Sequence, residues 1–167
     1  MVKKQAPDFR IILEVLLRHE VEFIVVGGVC AVLHGAPVTT FDLDIVHSRH
    51  ADNFSRLITA LDSLETYYRE KPERRLKPQR DPLASPGHHL LMTRAGPLDL
   101  LGEIGQGQGF DDLLKYTSEL QIGEGFSVKI LNLETLIEMK GLLGRDKDKA
   151  ALPILRRTLE EKRKLGQ

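Results

Sequence analysis

A chain of 167 residues, 41% hydrophobic and 29% charged, has the length of one domain and the ordinary balance of a soluble globular protein with a real core. Its 24 basic and 24 acidic side chains cancel, so overall charge supplies no non-specific attraction to nucleic acid, and any such contact needs a local patch. A single cysteine, Cys30, excludes an internal disulfide framework and fits a reducing cytoplasm, MVKKQAPDFR lacks the apolar core of a signal peptide, and no apolar run approaches the roughly 20 residues that span a membrane.

In chain order, Pro7 to about Glu20 reads as a helix, with Phe9, Ile12, Leu13, Leu16 and Leu17 at helical spacing. Phe23 to Val26 is a β-branched apolar run that stops at Gly27-Gly28, the pattern of a buried strand. Val29 to Leu33 starts a second helix, ending near Gly35-Ala36-Pro37. From Phe41 to Val46 the pattern alternates: Phe41, Leu43 and Ile45 on the inward face, Asp42 and Asp44 on the other. A helix over Ala51 to Leu64 places Phe54, Leu57, Ile58 and Leu61 inward. Residues 69–87 hold Pro72, Pro78, Pro82 and Pro86 among Arg74, Arg75, Lys77 and Arg80, and read as a long, flexible basic loop. Two strands follow, His89 to Met92 and Leu98 to Leu101, joined at Arg94-Ala95-Gly96. After the glycine-rich connector 105–109 and a short helix over Phe110 to Tyr116, two more strands flank Gly123-Glu124-Gly125. Residues 132–167 are helical, with Asn132 as an N-cap and Pro153 bending or starting the last helix. The reading is a single α/β domain over 1–167, with a small mixed sheet flanked by helices and a helical C-terminus.

Asp42 and Asp44 carry the chemistry. Two residues apart on a strand, their side chains point the same way with Cα atoms roughly 7 Å apart. Carboxylates this close repel unless a cation lies between them. A hard divalent ion such as Mg²⁺ takes oxygen ligands and leaves positions for phosphate and water, an arrangement suited to phosphoryl transfer. Gly27-Gly28, between strand and helix, lets backbone approach a phosphate. Asp99, alone in the apolar run Pro97-Leu98-Asp99-Leu100-Leu101, is costly to bury without a partner; on a strand beside that of Asp42 it reaches the same cation. The bland alternatives are solvent-facing aspartates, a simple strand-ending turn, and an Asp99–Arg94 ion pair. Cys30 reads as packing, His34 as a helix C-cap, and His88-His89 as the entrance of a strand.

Val25-Val26-Gly27-Gly28, thirteen residues, then Asp42-Leu43-Asp44-Ile45 resembles the signature of the DNA polymerase beta-like nucleotidyltransferase superfamily: a glycine turn, a helix, Asp-x-Asp on the next strand and a third carboxylate later. His34-Gly35-Ala36-Pro37 leading into Thr40-Phe41-Asp42-Leu43-Asp44 is similar to its small bacterial and archaeal members, the minimal nucleotidyltransferases and abortive-infection type toxins. The run Leu131 to Lys140, then Gly144 to Asp148, is also similar. The resemblance implies a nucleotidyltransferase fold and a Mg²⁺-dependent enzyme with a two-metal site on Asp42, Asp44 and Asp99, Mn²⁺ being the alternative ion. It implies Gly27, Gly28, Lys140 and Arg145 as nucleotide contacts, with Lys147 and Asp148 as weaker candidates. A nucleoside monophosphate would pass from a nucleoside triphosphate to a hydroxyl acceptor (a tRNA 3′ end, a protein or a small molecule), releasing pyrophosphate, and Asp99 would help to deprotonate that hydroxyl. It further implies a toxin–antitoxin component with an antitoxin partner. Val38 stands where relatives often carry an arginine. The rival expectation is a catalytically inactive module of the same fold that binds a nucleotide or a partner.

Overall fold

Phe23–Val26 forms β1, a four-residue strand whose side chains are all buried, so it must lie inside a sheet covered on both faces. In the computed structural model, which describes residues 6–166, β1 is an interior strand of a seven-stranded mixed sheet. Residues 1–5, where a leader was sought in the sequence, and Gln167 lie outside the described residues. The other strands are β2 (Leu43–His47), β3 (Tyr67–Tyr68), β4 (His88–Thr93), β5 (Gly96–Leu101), β6 (Thr117–Gly123) and β7 (Phe126–Leu131). Their order is β3-β4-β5-β2-β1-β7-β6, with β1 parallel to β7, β2 parallel to β5 and the remaining neighbours antiparallel.

The helices are α1 (Phe9–Arg18), α2 (Gly27–Leu33), α3 (Ala51–Ser63), α4 (Arg80–Leu83), α5 (Phe110–Leu113), α6 (Leu133–Leu143) and α7 (Asp146–Lys164). Asp8 caps α1 by accepting the Arg10 N–H at 3.2 Å, which satisfies one of the free donors of the first turn. α1 packs against α3, α2 against α6, and α6 against α7. Ile12, Leu16, Ile24, Leu43, Ile45, Leu57, Leu98 and Leu100 have no solvent exposure and form the centre of one core. α7 begins at Asp146 and carries Pro153 within it. Among the described residues, no helix is long and apolar enough to cross a membrane.

The structure differs from the sequence reading in two places that bear on the site. The strand expected over Phe41 to Val46 is Leu43–His47, and Phe41, expected inward, is 76% exposed. The reason lies in the neighbours: β1 turns into α2 at Gly27, and the last β1–β2 pair is Val26 with Asp44, so Phe41 and Asp42 have no β1 partner. Residues 69–87, expected as an uninterrupted loop, contain a 3₁₀ turn at Pro72–Arg74 and the short α4, whose Leu83 is fully buried.

Buried polar groups fasten the sheet to its surroundings. His47 Nε2 donates to the Leu83 carbonyl at 2.8 Å, and the Tyr68 hydroxyl bonds His89 Nδ1 at 2.8 Å. His34, the C-cap of α2, donates Nε2–H to the Leu131 carbonyl at 2.7 Å and accepts at Nδ1 from Lys162 Nζ at 2.8 Å. One imidazole thus ties the end of α2 to β7 and to the last turn of α7. Cys30 is buried, its thiol 3.2 Å from the same carbonyl, and burial pushes its pKa up to about 12, so it packs as a small apolar group.

Candidate active site

Parallel pairing sets the register of the carboxylates. β2 and β5 align Leu43 with Leu98, Asp44 with Asp99 and Ile45 with Leu100. Aligned residues on adjacent strands share a face, so the leucines and Ile45 enter the core while Asp44 and Asp99 stand side by side on the other face. Asp42, in the bend just before β2, completes the group. One oxygen from each of Asp42, Asp44 and Asp99 lies within 4.8 Å of the other two. Asp99 is almost fully buried, Asp44 is partly buried and Asp42 opens to solvent.

Burial raises the Asp44 pKa, and the charge of Asp99, a hydrogen bond with Asp99 and the charge of Asp42 raise it further; Lys147 opposes them. This clustering of negative charge in a part-buried place is the electrostatic demand that a divalent cation meets. The donor set is three carboxylates and no sulfur or imidazole, which suits Mg²⁺ or Mn²⁺ rather than zinc or copper. The residues therefore fit the ion.

The glycines make room for this group. Gly27 adopts φ +68°, and a Cβ there would overlap Asp44 Oδ2. At Gly28 a Cβ would meet Thr40 Oγ1 at 2.7 Å; Thr40 in turn donates to the Asp42 carbonyl at 3.0 Å. The pair thus lets β1 turn into α2 beneath the carboxylates while the Asp42 loop folds over it. Gly27→Ala is expected to cost about 1–2 kcal/mol through left-handed strain alone. It should also displace the Asp44 carboxylate and weaken Mn²⁺ binding at least about 10-fold, a loss of roughly 1.4 kcal/mol. Calorimetric titration of Mn²⁺ into this variant checks it, and an unchanged affinity would contradict the packing argument.

Cationic groups approach from two sides. At the junction of α6 and α7, Arg145 Nε bonds Asp148 Oδ2 at 2.7 Å and Lys140 Nζ lies 3.7 Å from Asp148 Oδ1. Burial pushes the Asp148 carboxyl up, but hydrogen bonding and charge from Arg145, together with Lys140, outweigh it and hold it below the ordinary value. Asp148 therefore orients the cations, and the junction is near enough for Lys147 to act on Asp44. From the opposite side comes Arg69, which the sequence reading left in the basic loop. Its Nη1 donates to Asp99 Oδ1 at 2.5 Å and to the Leu91 carbonyl at 3.0 Å, and Nη2 lies 3.9 Å from Asp42 Oδ2. Arg94, the partner of Asp99 in the bland alternative, instead donates to the Ser63 carbonyl. Arg69 follows two tyrosines and precedes mixed charges, so no local signal points to it; its place comes from the β3–β4 pairing of Tyr68 with Leu91.

The structure thus brings Asp42, Asp44, Asp99, Gly27 and Gly28 together, with Arg145 and Lys147 near enough to act on Asp44 and Lys140 paired with Asp148 at the α6–α7 junction. Recesses near Arg49, His50 and residues 106–116 lie beyond the C-terminal ends of β2 and β5, away from this group.

A mixed sheet of seven strands with flanking helices and a helical C-terminus gives this chain the fold of the nucleotidyltransferase superfamily. Two solved structures are similar to it. One is a protein of Thermotoga maritima assigned to the nucleotidyltransferases (TM1012), at TM-score 0.54 and 19% identity over 92% of this chain and 91% of that one. The other is the lincosamide antibiotic adenylyltransferase LnuA in its lincomycin-bound form, at TM-score 0.60 and 14% identity over 89% of this chain and 94% of that one. No family model matches the sequence, and no curated protein matches it.

Proposed function

We propose that the chain is a nucleotidyltransferase that moves a nucleoside monophosphate from a nucleoside triphosphate to a hydroxyl acceptor and releases pyrophosphate. The observation that carries this reading is the convergence of Asp42, Asp44 and Asp99 on one face, reached through the parallel register of β2 and β5. Asp42, Asp44 and Asp99 would hold Mg²⁺ or Mn²⁺, which supplies Lewis-acid stabilisation of the charge that builds on the reacting phosphate. Gly27 and Gly28, whose missing side chains seat Asp44 and Thr40 against the turn into α2, would present backbone N–H groups to the triphosphate. Lys140 and Arg145, oriented by Asp148, receive the triphosphate, with Lys147 adding positive charge. Asp99 takes the proton of the attacking hydroxyl. Phe41, exposed beside Asp42, offers a flat apolar surface for a nucleobase or an acceptor ring.

A small-molecule hydroxyl is the acceptor favoured here. LnuA, an antibiotic adenylyltransferase, is matched over 94% of its length, so a chain of this size suffices for that class of reaction. A tRNA 3′ end or a protein side chain would be served by the same chemistry, the former in a toxin controlled by an antitoxin. The test is incubation of purified protein with each labelled nucleoside triphosphate, Mg²⁺, and in turn a hydroxylated antibiotic panel, total tRNA and cell extract. Label transferred to one acceptor class, with pyrophosphate formed, is the expected result. A second reading is favoured by the Arg69–Asp99 bridge, since a guanidinium supplied by the chain already partners one carboxylate. A non-catalytic nucleotide-binding module would then bind triphosphate and yield no product with any acceptor.

A further inference from the structure

The guanidinium of Arg69 is held by more than charge. Its backbone N–H donates to the Leu90 carbonyl at 3.1 Å, which extends the β3–β4 pairing by one residue. Its Nη1 is shared between the Leu91 carbonyl and Asp99 Oδ1. Leu90 pairs with Asp99 across β4 and β5, so the side chain reaches over β4 to the third carboxylate from a fixed starting point. Its side chain is 24% exposed, and its other nitrogen faces Asp42. The positive charge therefore lies against Asp99 and Asp42; Asp44 makes no ion pair with Arg69 but is close enough to feel its charge.

A second ion needs carboxylate oxygens of its own at about 2.0–2.1 Å. Taking those that Arg69 holds would displace the guanidinium from both Asp99 and the Leu91 carbonyl. Leaving that strand carbonyl without its donor is costly, and two cations pressed together repel. An ion that takes Asp44 and the remaining oxygens of Asp42 and Asp99 leaves those hydrogen bonds in place. Three carboxylates, one guanidinium and one divalent ion also sum to zero charge, so a single ion neutralises the group before the triphosphate arrives with Lys140 and Arg145 to meet it.

We propose that Arg69 takes the place of one divalent cation, so that the three aspartates hold a single metal ion and Arg69 supplies the second positive charge. This rests on the reading of the three aspartates as a metal site, and it departs from the two-metal expectation of the sequence. Arg69 is then a positioning group that holds Asp99 and limits the ion count.

The test is Mn²⁺ titration followed by electron paramagnetic resonance, with a non-hydrolysable ATP analogue present. Wild type is expected to bind one Mn²⁺ per chain with an isolated six-line spectrum. Arg69→Ala and Arg69→Gln are expected to bind two, with the spin-coupled spectrum of ions about 3.5–4 Å apart. Added guanidinium should return Arg69→Ala to one. Two coupled ions on wild type, or a count that stays at one in both variants, overturns the proposal while leaving the metal site standing. No ion on wild type overturns the metal site itself, and this inference with it. Should the variants fail to fold, the wild-type count and spectrum still decide.

Discussion

Asp44→Asn is expected to lower nucleotidyl transfer by about 10³-fold or more while raising the stability of the fold. The two effects have one origin. Asp44 lies in a part-buried place beside Asp99 and Asp42, and both the loss of hydration and the neighbouring charges disfavour its ionised form. An asparagine of nearly the same shape keeps the side chain in register with Asp99 but removes the repulsion, a gain of about 1 kcal/mol. It also removes a charged oxygen from the ion and with it several kcal/mol of transition-state stabilisation, which converts to the loss in rate. The measurements are label transfer and urea unfolding in metal-free buffer at pH 8. Transfer retained at the wild-type level would remove Asp44 from the chemistry. Lost stability would mean that the carboxylate is structurally satisfied and not a strained functional group. Asp42→Asn is expected to lose transfer similarly with a smaller change in stability, because Asp42 is more open to water.

Acid is expected to destabilise the protein through His47, by about 3 kcal/mol between neutral pH and pH 4. The ring is fully buried, Nε2 donates to the Leu83 carbonyl, and Nδ1 has no partner. Burial lowers its pKa from 6.5 to about 4, and the nearby His89 and Arg49 add to this. Between those values the unfolded chain binds a proton that the folded chain does not. Stability is therefore full above about pH 6.5, falls as pH drops through the unfolded value, and levels off below the folded one. His34 and His89, also lowered chiefly by burial, act in the same direction. Asp44 acts in the opposite direction: with its pKa raised, stability declines as pH rises. The His47 contribution is thus read most cleanly on Asp44→Asn, by comparing urea midpoints of that variant and of Asp44→Asn/His47→Gln from pH 7.5 to 4. A slope left unchanged by His47→Gln would show that another group carries the acid sensitivity.

What was readable in the sequence was what depends on short spacing. Asp42-x-Asp44 and Gly27-Gly28 could be seen because a strand repeats every two residues and a glycine pair marks a sharp turn. Asp99 stood out as one carboxylate in an apolar run, which needs a partner wherever it folds. The partner itself could not be seen. Arg69 meets Asp99 thirty residues away only because β3 pairs with β4 and β4 with β5 in particular registers. Arg94, nearer in sequence and the example offered by the bland alternative, bonds the Ser63 carbonyl instead. Phe41 was misread for a related reason. Alternation says which face a residue shares, but the end of β1 decides where the sheet stops covering that face. The environment of His47 was likewise invisible, since the carbonyl it bonds lies in a proline-rich stretch that carries little pattern of its own.

The position of β1 between β2 and β7 has a consequence for synthesis. β1 is synthesised well before its partner β7, which ends at Leu131, and before Lys162, the lysine that locks α2 through His34. Until those residues emerge from the exit tunnel, the apolar β1 has an open edge beside the nascent carboxylate cluster. Cotranslational assembly of this domain therefore waits for β7 and α7. A chain stalled or truncated before β7 would present an aggregation-prone strand to chaperones and proteases, and the binding site is complete only once α7 has been made.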